Sequence, residues 1–223
     1  MSNIKQKLNM GLNCGCPEAA SLASITASAC KESFGQIQKV IFQRIRGAAG
    51  ENTIAAGDIA AKTAMAALLT AADATKIVVS PYLCNPTTEP GAARTFGGGN
   101  QTLGGQEMVI GREPTNFTGA IYQEQQSVIK VLKGFMCENI GVYLVDENGN
   151  IGCLDGGTTT SGSTSTQHYK PIPIARLFVG DKKFGGFEEV DSNEISWQFL
   201  PNWSDDLKIL KASTFDYNPL TDL

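Results

Sequence analysis

The sequence predicts an α+β domain in which an antiparallel β-sandwich or barrel-like sheet is flanked by one or two helices, with long loops. Three observations predict this class. Short β-branched and apolar runs alternate with turn residues, two segments have apolar residues at helical spacing, and other stretches are rich in Gly, Ser, Thr and Pro. Glycine supplies 24 of the 223 residues, above the usual share of about 7%. Turns and loops should therefore be frequent.

Several segments have the composition of strands. Residues 36–46 place Ile37, Ile41 and Ile45 on one face, and residues 76–80 are a β-branched run. Two apolar runs, 139–145 and 150–154, flank Asp146-Glu147-Asn148-Gly149, and Asn-Gly is a strong hairpin signal. Further strands are expected at 106–112, 171–179, 184–187, 193–200 and 206–210, which predicts a small β-meander in the C-terminal half.

Two segments favour helices. Residues 58–72 are rich in alanine, with Asp58 placed to cap the N-terminus and Met65 and Leu68 on one stripe. Residues 118–137 carry most of their large apolar side chains on one helical stripe. The second helix is expected to pack on the sheet.

The remaining segments lack a core-forming pattern. Residues 84–118 are a long connection rich in Gly and Pro, and residues 155–167 are a Gly/Ser/Thr tract expected to be mobile unless a partner orders it. Residues 1–35 are polar and interrupted by Gly and Pro, which indicates an N-terminal arm. Residues 36–223 are then expected to form a single β-rich structural domain.

Charge and hydropathy exclude several partners. The net charge of −4 and a pI of about 5.1 argue against a protein that grips nucleic-acid phosphates. No stretch reaches the roughly 18 apolar residues of a membrane span, so no membrane partner is expected. Lys5 and Lys7 precede a small-residue stretch, as in a signal peptide, but Pro17 and Glu18 interrupt the approach. Synthesis in the cytoplasm is favoured.

The residue types that carry chemistry are sparse. His168 is the single histidine and is expected at the surface. The six cysteines are scattered, so reduced thiols are expected, and the Cys14-x-Cys16 pair lacks the spacing of a zinc site. The glycine-rich stretches at 97–100 and 155–157 lack the Gly-Lys-Ser/Thr of a phosphate loop. We therefore predict no enzyme activity, and no catalytic residue, cofactor, metal site or small-molecule substrate.

Acidic residues concentrate in the last fifth of the chain. Residues 181–223 contain four basic and nine acidic side chains. The spacing of these acids does not match glycosidase carboxylates or a calcium loop, and a solvated face is the commoner arrangement. The acids concerned are Glu188, Glu189, Asp191, Glu194, Asp205 and Asp206.

Three stretches together resemble a known family: QIQKVIFQRI at 36–45, LLTAADATKIVVSP at 68–81, and FVGDKKFGGFEEVDSNEISWQFLPNWSDDLKIL at 178–210. They are similar to bacteriophage virion structural proteins, particularly the tail-tube proteins of long-tailed phages, over roughly half the chain. The resemblance implies a homo-oligomer of stacked rings, other virion proteins as partners, and DNA that passes through without specific binding. It also implies a place in the virion after synthesis in the host cytoplasm.

Within that resemblance, the acids would repel DNA phosphates from a channel wall. Segments 84–118 and 155–168 would reach between subunits and become ordered there. Two alternatives stay open. One is a capsid-decorating or head–tail connector protein. The other is a carbohydrate-binding or adhesin module, suggested by Trp197, Trp203 and Tyr217, although core packing is commoner for such aromatics.

Overall fold

The computed structural model of the protein describes residues 24–26, 33–102 and 104–223, and antiparallel strands dominate it. The strands are β1 Ile37–Arg44, β2 Arg46–Gly47, β3 Gly50–Glu51, β4 Ile54–Ala55, β5 Ile77–Val79, β6 Cys84–Glu89, β7 Ala93–Gly97, β8 Glu107–Arg112, β9 Thr115–Tyr122, β10 Ile140–Asp146, β11 Ile151–Ser161, β12 Thr164–Lys170, β13 Ile172–Val179, β14 Ser192–Phe199 and β15 Leu207–Leu210. The helices are α1 Ala56–Ile59, α2 Lys62–Thr70 and α3 Gln126–Gly134, with 3-10 turns at Phe135–Cys137 and Ala212–Thr214. The predicted α+β class with a dominant antiparallel sheet is confirmed.

The chain divides into two compact units. The larger one contains residues 34–91 and 114–223, and the described part of the other is chiefly the hairpin at residues 92–113. The predicted arm at residues 1–35 lies mostly outside the described residues. The predicted boundaries 1–35 and 36–223 therefore stay a prediction.

The larger unit contains an eleven-stranded sheet. Eight strands follow the order β4-β12-β11-β10-β13-β14-β9-β6, while β1 pairs with β10 and β5, and β15 pairs with β11. Strand β10 is central, because β1 pairs along one edge while β11 and β13 share the other. A Cβ at Gly141 would lie 2.8 Å from the carbonyl oxygen of Ile172, so this close strand crossing requires glycine. The predicted C-terminal meander is wrong, since β13 also pairs with β10, and β15 pairs with β11.

The two central strands are buried on both faces. In β1, Val40 and Phe42 enter one apolar core while Ile41 enters a second, as strand alternation requires. In β10, Val142 and Leu144 enter the first core, and Tyr143 and Val145 enter the second. This double burial explains the near-continuous apolar sequences of both strands.

Different elements cover the two cores. Strands β9 and β14 and helix α3 cover the first, through side chains such as Phe117, Trp197 and Ile129. Helices α1 and α2 and the segment after β15 cover the second, through side chains such as Met65 and Tyr217. The sheet is therefore flanked by helices on both faces.

The predicted helix at residues 58–72 is broken into α1 and α2, and Asp58 lies inside α1 rather than capping it. The residues that interrupt the helix are Asp216 and Tyr217, more than 150 residues later in the sequence. Asp216 Oδ1 accepts a 2.7 Å hydrogen bond from the Lys62 N–H, and the Asp216 N–H donates to Ala60. Tyr217 donates its hydroxyl hydrogen to the Ile59 carbonyl at 2.8 Å. These contacts hold the backbone open at the break.

The predicted helix at residues 118–137 is correct only in its second half. Residues Thr115–Tyr122 form strand β9, in which Phe117, Gly119 and Ile121 face inward in strict alternation. Helix α3 begins at Gln126 and buries Ile129 and Leu132. Pairing of β9 with β14 and β6 decides the conformation of the first half, because it satisfies the backbone groups on both edges.

The Asp146-Glu147-Asn148-Gly149 turn joins β10 to β11, which confirms the predicted hairpin. Asp146 is fully buried, and its carboxylate accepts backbone hydrogen bonds from Gly35, Asn148 and Asn150 at 2.8–3.0 Å, and a side-chain bond from Asn150. Gly149 has φ of +78°, which glycine adopts without strain. The carboxylate thus ties the turn to the start of β1.

Candidate assembly surfaces

The acidic residues singled out from the sequence fall into two groups. Glu188, Glu189 and Asp191 lie in the loop before β14, with Glu194 just inside that strand. Asp205 and Asp206 lie in the exposed turn after β14. Most of the length of β14 separates the two groups, so these acids do not form one cluster.

Basic partners neutralise part of the first group. Lys183 Nζ lies 2.7 Å from Glu189 Oε2, and this hydrogen bond lowers the pKa of Glu189 and raises the pKa of Lys183. Asp191 accepts a 3.0 Å hydrogen bond from the Gly185 N–H. Among the described residues, no ion pair involves the carboxylates of Asp205 and Asp206. Neither acid of the turn after β14 is therefore neutralised by a described basic residue, whereas Glu189 of the first group is.

The Gly/Ser/Thr tract at 155–167 is not a loop, contrary to the prediction. It forms the outer half of the β11–β12 hairpin, which turns at Gly162 and Ser163. Hydroxyl side chains face each other across the strands, with Thr158 Oγ1 2.8 Å from Gln167 and Thr160 Oγ1 3.3 Å from Ser165. Such cross-strand pairs stabilise a hairpin without burial of apolar surface.

The outer half of this hairpin has two open edges. β15 pairs with β11 only at residues 151–154, and β4 pairs with β12 only at His168 and Tyr169. Backbone groups of residues 158–161 and 164–167 therefore have no strand beyond them within the described part of the chain. Open edges of this kind pair readily with a strand of another molecule.

His168 lies where this hairpin meets the sheet. Its Nε2 is 2.8 Å from Thr159 Oγ1, and its Nδ1 is 3.4 Å from Thr53 Oγ1. The side chain is half-buried rather than freely exposed at the surface. Its hydroxyl partners give it a structural role in β12.

The second hairpin, β7–β8, lies in the segment predicted to be a long connection. The strand predicted at 106–112 is confirmed, but β6, β7 and the start of β9 were missed. Phe96 pairs with Met108 and Thr95 with Val109 across the ribbon. Phe96, Val109 and Ile110 are 51%, 67% and 63% exposed. A two-stranded ribbon is marginally stable in water on its own. These exposed apolar side chains are therefore expected to be buried by another protein surface.

The loop between β13 and β14 presents a second apolar surface, at the position of a strand predicted over residues 184–187. That prediction is wrong, because only Lys183 forms a bridge, with Ser192. Phe184 and Phe187 are 77% and 107% exposed. The sequence signal for this surface was two phenylalanines that flank Gly185-Gly186, a spacing more typical of a turn than of a strand.

The aromatic residues behind the carbohydrate-binding alternative are packed inside. Trp197 is 1% exposed and stacks on Phe117 with ring centroids 3.9 Å apart. Trp203 is half-buried against Phe199, and Tyr217 is buried. Trp197 and Tyr217 offer no open face on which a sugar could stack, and Trp203 has one face stacked on Phe199, so these three residues do not form an exposed platform.

The cysteines show no functional constellation in the described ranges. Cys84, Cys137 and Cys153 are free thiols, while Cys14, Cys16 and Cys30 lie outside the described residues. Burial raises the pKa of the Cys153 thiol to about 12, which keeps it protonated. Within residues 24–26, 33–102 and 104–223, no group of three or more His, Cys, Asp or Glu side chains is placed to hold a metal ion. The absence of a metal stays a prediction.

No helix in the part of the chain that the structure describes has the length and apolar character needed to cross a bilayer.

Comparison with known proteins gave weak structural similarities. No protein-family model matches the sequence, and no curated protein matches it. Among solved structures, a chain in the tail of an empty GTA particle with C6 symmetry matches over 56% of this chain and 80% of that chain, with 11% identity and a TM-score of 0.32. A chain in the six-fold symmetrised baseplate of the anti-feeding prophage matches over 86% of this chain and 99% of that chain, with 8% identity and a TM-score of 0.28. TM-scores this low do not establish a common fold.

Proposed function

We propose that this protein is a non-enzymatic virion structural protein whose copies assemble into stacked rings that form a phage tail tube. The main support for the proposal is that the chain has several separate surfaces that other subunits could bury. These surfaces are the open-edged β11–β12 hairpin, the apolar β7–β8 ribbon and the loop that exposes Phe184 and Phe187. All three carry exposed side chains in the part of the chain that the structure describes, and exposed apolar patches and open strand edges mark sites of protein association.

Several surfaces on one chain suit an assembly with more than one kind of contact. A head-to-tail contact closes into a ring or propagates into a filament according to its rotation. A tube of stacked rings needs one contact within the ring and another between rings. The sequence resemblance at 36–45, 68–81 and 178–210 supports the same assignment.

The predicted dependence of segments 84–118 and 155–168 on neighbouring subunits needs revision. Both contain regular hairpins within a single chain. Subunit contacts are therefore not required to create their secondary structure. We propose instead that neighbours cover the open edges and the apolar side chains of these hairpins.

A shortened β11–β12 hairpin tests the assembly role. Deleting Thr160, Ser161, Thr164 and Ser165 keeps the Gly162-Ser163 turn and closes the hairpin on the Thr159–Thr166 pair, which lies two residues further from the turn on each strand. Self-association, followed by sedimentation velocity, should weaken at least about tenfold because half of each open edge is lost. Thermal melting should be nearly unchanged, since the deleted residues are exposed.

A matched variant separates edge pairing from the hydroxyl groups. Thr160→Ala with Ser165→Ala keeps the hairpin length and removes the facing hydroxyls, so assembly should persist. Equal assembly of the shortened variant and the wild-type protein would show that this hairpin is not an assembly surface.

The passage of DNA gives the acids their proposed role. Asp205 and Asp206, rather than the partly neutralised loop acids, are the best candidates for a wall that repels phosphates. Replacing both with lysine should leave tube assembly intact but impair genome delivery, because a cationic wall retains phosphate. Lys211→Glu, a nearby exposed charge change of opposite sign, serves as the control. Unchanged delivery by the double lysine variant would place these acids on a solvated outer face.

A further inference from the structure

The loop that carries the exposed phenylalanines has a defined closed conformation. We call residues 183–192 the Phe loop. Lys183 and Ser192 exchange backbone hydrogen bonds of 2.8 and 3.0 Å at its base, and the Lys183–Glu189 ion pair spans it. A Cβ on Gly185 would lie 2.0 Å from the Glu189 carbonyl oxygen, whereas a Cβ on Gly186 would meet nothing within 4 Å. The closed loop therefore requires glycine at 185 but not at 186.

The Phe loop holds its two aromatic side chains outward. Phe187 is fully exposed and Phe184 is 77% exposed, although the hydrogen bonds fix the backbone between them. Aromatic side chains on a preorganised loop bury large area at little entropic cost when they enter a pocket. They are typical anchors of a protein interface.

An apolar groove lies elsewhere on the larger unit, at the end of β1. Its cavity volume is about 400 Å³, and Phe42, Val78, Phe135 and Ile140 contribute its apolar lining. The volume falls within the range of about 300–1,000 Å³ typical of sites that enclose a ligand. The groove is thus large enough to accept an aromatic side chain.

Charged side chains line the groove beside the apolar ones. Arg44 pairs with Glu138 at 2.8 Å. Lys76 is exposed and forms no ion pair with any other described residue. On the Phe loop, Glu188 directly follows Phe187, is exposed and likewise lacks an ion pair within the described ranges. Asp73 also lines the groove and accepts hydrogen bonds from the backbone and hydroxyl of Thr75. Lys76 on the groove and Glu188 on the loop are therefore charges of opposite sign without an ion pair to a described residue, each beside apolar side chains.

We propose that the Phe loop of one copy docks into the groove of a second copy, with Phe187 between Val78 and Phe135 and with Glu188 against Lys76. This contact rests on the proposed assembly function and identifies one of its interfaces. Loop and groove are different surfaces of the chain, so the contact is head-to-tail and leaves one loop and one groove open on each pair. Addition of further copies then builds a ring or a filament.

Variants of the loop test the anchor. Phe184→Ala with Phe187→Ala should weaken self-association about a hundredfold in sedimentation equilibrium, as expected for the loss of interface anchors. Gly185→Ala should weaken it similarly by opening the loop, while Gly186→Ala should leave it unchanged. Wild-type association of the double alanine variant would overturn the contact.

A charge exchange tests the partner surface. Lys76→Glu and Glu188→Lys should each weaken association about tenfold, and the protein with both changes should return to within about threefold of wild type. Failure of the double variant to recover would overturn the pairing of loop and groove.

Two outcomes separate this contact from the tail-tube function. Tubes formed by the Phe184→Ala, Phe187→Ala variant would contradict the proposed contact and support the tail-tube function. Wild-type oligomers that depend on Phe187 but never form tubes would support the proposed contact and contradict the tail-tube function. A wild-type protein that stays monomeric at all concentrations would contradict both the contact and the tail-tube function.

Discussion

Replacing Trp197 with alanine is expected to lower the free energy of unfolding by about 4 kcal/mol, the cost of a large cavity in a packed core. The indole stacks on Phe117 at 3.9 Å and meets Phe199 edge-on at 6.1 Å, so its removal takes the stacking partner from Phe117 and one of two aromatic partners from Phe199. Urea unfolding followed by circular dichroism measures the change. Because the side chain is 1% exposed, surface binding should not depend on it directly.

Two control variants sharpen this test. Trp197→Phe keeps the stack and removes an indole N–H that has no acceptor among the described residues, so its cost should stay below about 1.5 kcal/mol. Trp203→Ala should cost less than Trp197→Ala, since Trp203 is only half-buried. A loss below about 1 kcal/mol for Trp197→Ala would contradict the assignment of this residue to the core.

Replacing Asp146 with asparagine is expected to cost about 3 kcal/mol at neutral pH. The carboxylate accepts hydrogen bonds at both oxygens, and an amide would turn one acceptor into a donor that faces other donors. Loss of hydrogen bonds to a buried charged group has this magnitude. The measurement is the free energy of unfolding from urea titrations of both proteins at a series of pH values.

The same variant predicts a pH dependence. Burial acts to raise the pKa of Asp146, but the hydrogen bonds from Gly35, Asn150 and Asn148 outweigh it and hold the pKa below the usual 3.8. A carboxyl group with a lowered folded-state pKa contributes stability above its unfolded-state pKa and loses it as pH falls through the folded-state value. The difference between the two proteins should therefore be constant at neutral pH and shrink below pH about 4.

Asp73 provides a matched control for this carboxylate. Its Oδ1 accepts hydrogen bonds from the backbone and the hydroxyl of Thr75, but the residue is exposed. Asp73→Asn should therefore be milder than Asp146→Asn at every pH. Equal effects of the two changes would mean that burial of Asp146 adds nothing.

Local sequence signals predicted the elements that short-range chemistry determines. The β10–β11 hairpin follows from Asn148-Gly149 between two apolar runs, and β1 follows from its β-branched residues. The predicted common face of Ile37 and Ile41 is wrong, because an irregularity between Ile37 and Lys39 places the two side chains in different cores. The break between α1 and α2 could not be predicted in this way. The group that binds the N–H of Lys62 is Asp216, 154 residues later in the chain.

The assembly surfaces were harder to predict, for two physical reasons. The Thr- and Ser-rich strands after Asp155 bury little, so a search for apolar surface missed strands that facing hydroxyl pairs stabilise. The apolar stripe at 118–137 contained a strand, because Phe117 and Ile121 fit an alternating pattern that helix periodicity obscured. The outward positions of Phe184 and Phe187 depend on the closed loop, which the Lys183–Ser192 bridge and the Gly185–Asp191 hydrogen bond define.

Electron microscopy of the concentrated, purified protein tests the tail-tube proposal most directly. We predict stacked rings that form hollow tubes of uniform diameter with a regular axial repeat. Isolated rings that never stack would favour a connector, and decoration of capsids without tubes would favour a capsid-associated protein. Uniform monomers at high concentration would contradict self-assembly and favour a self-contained module.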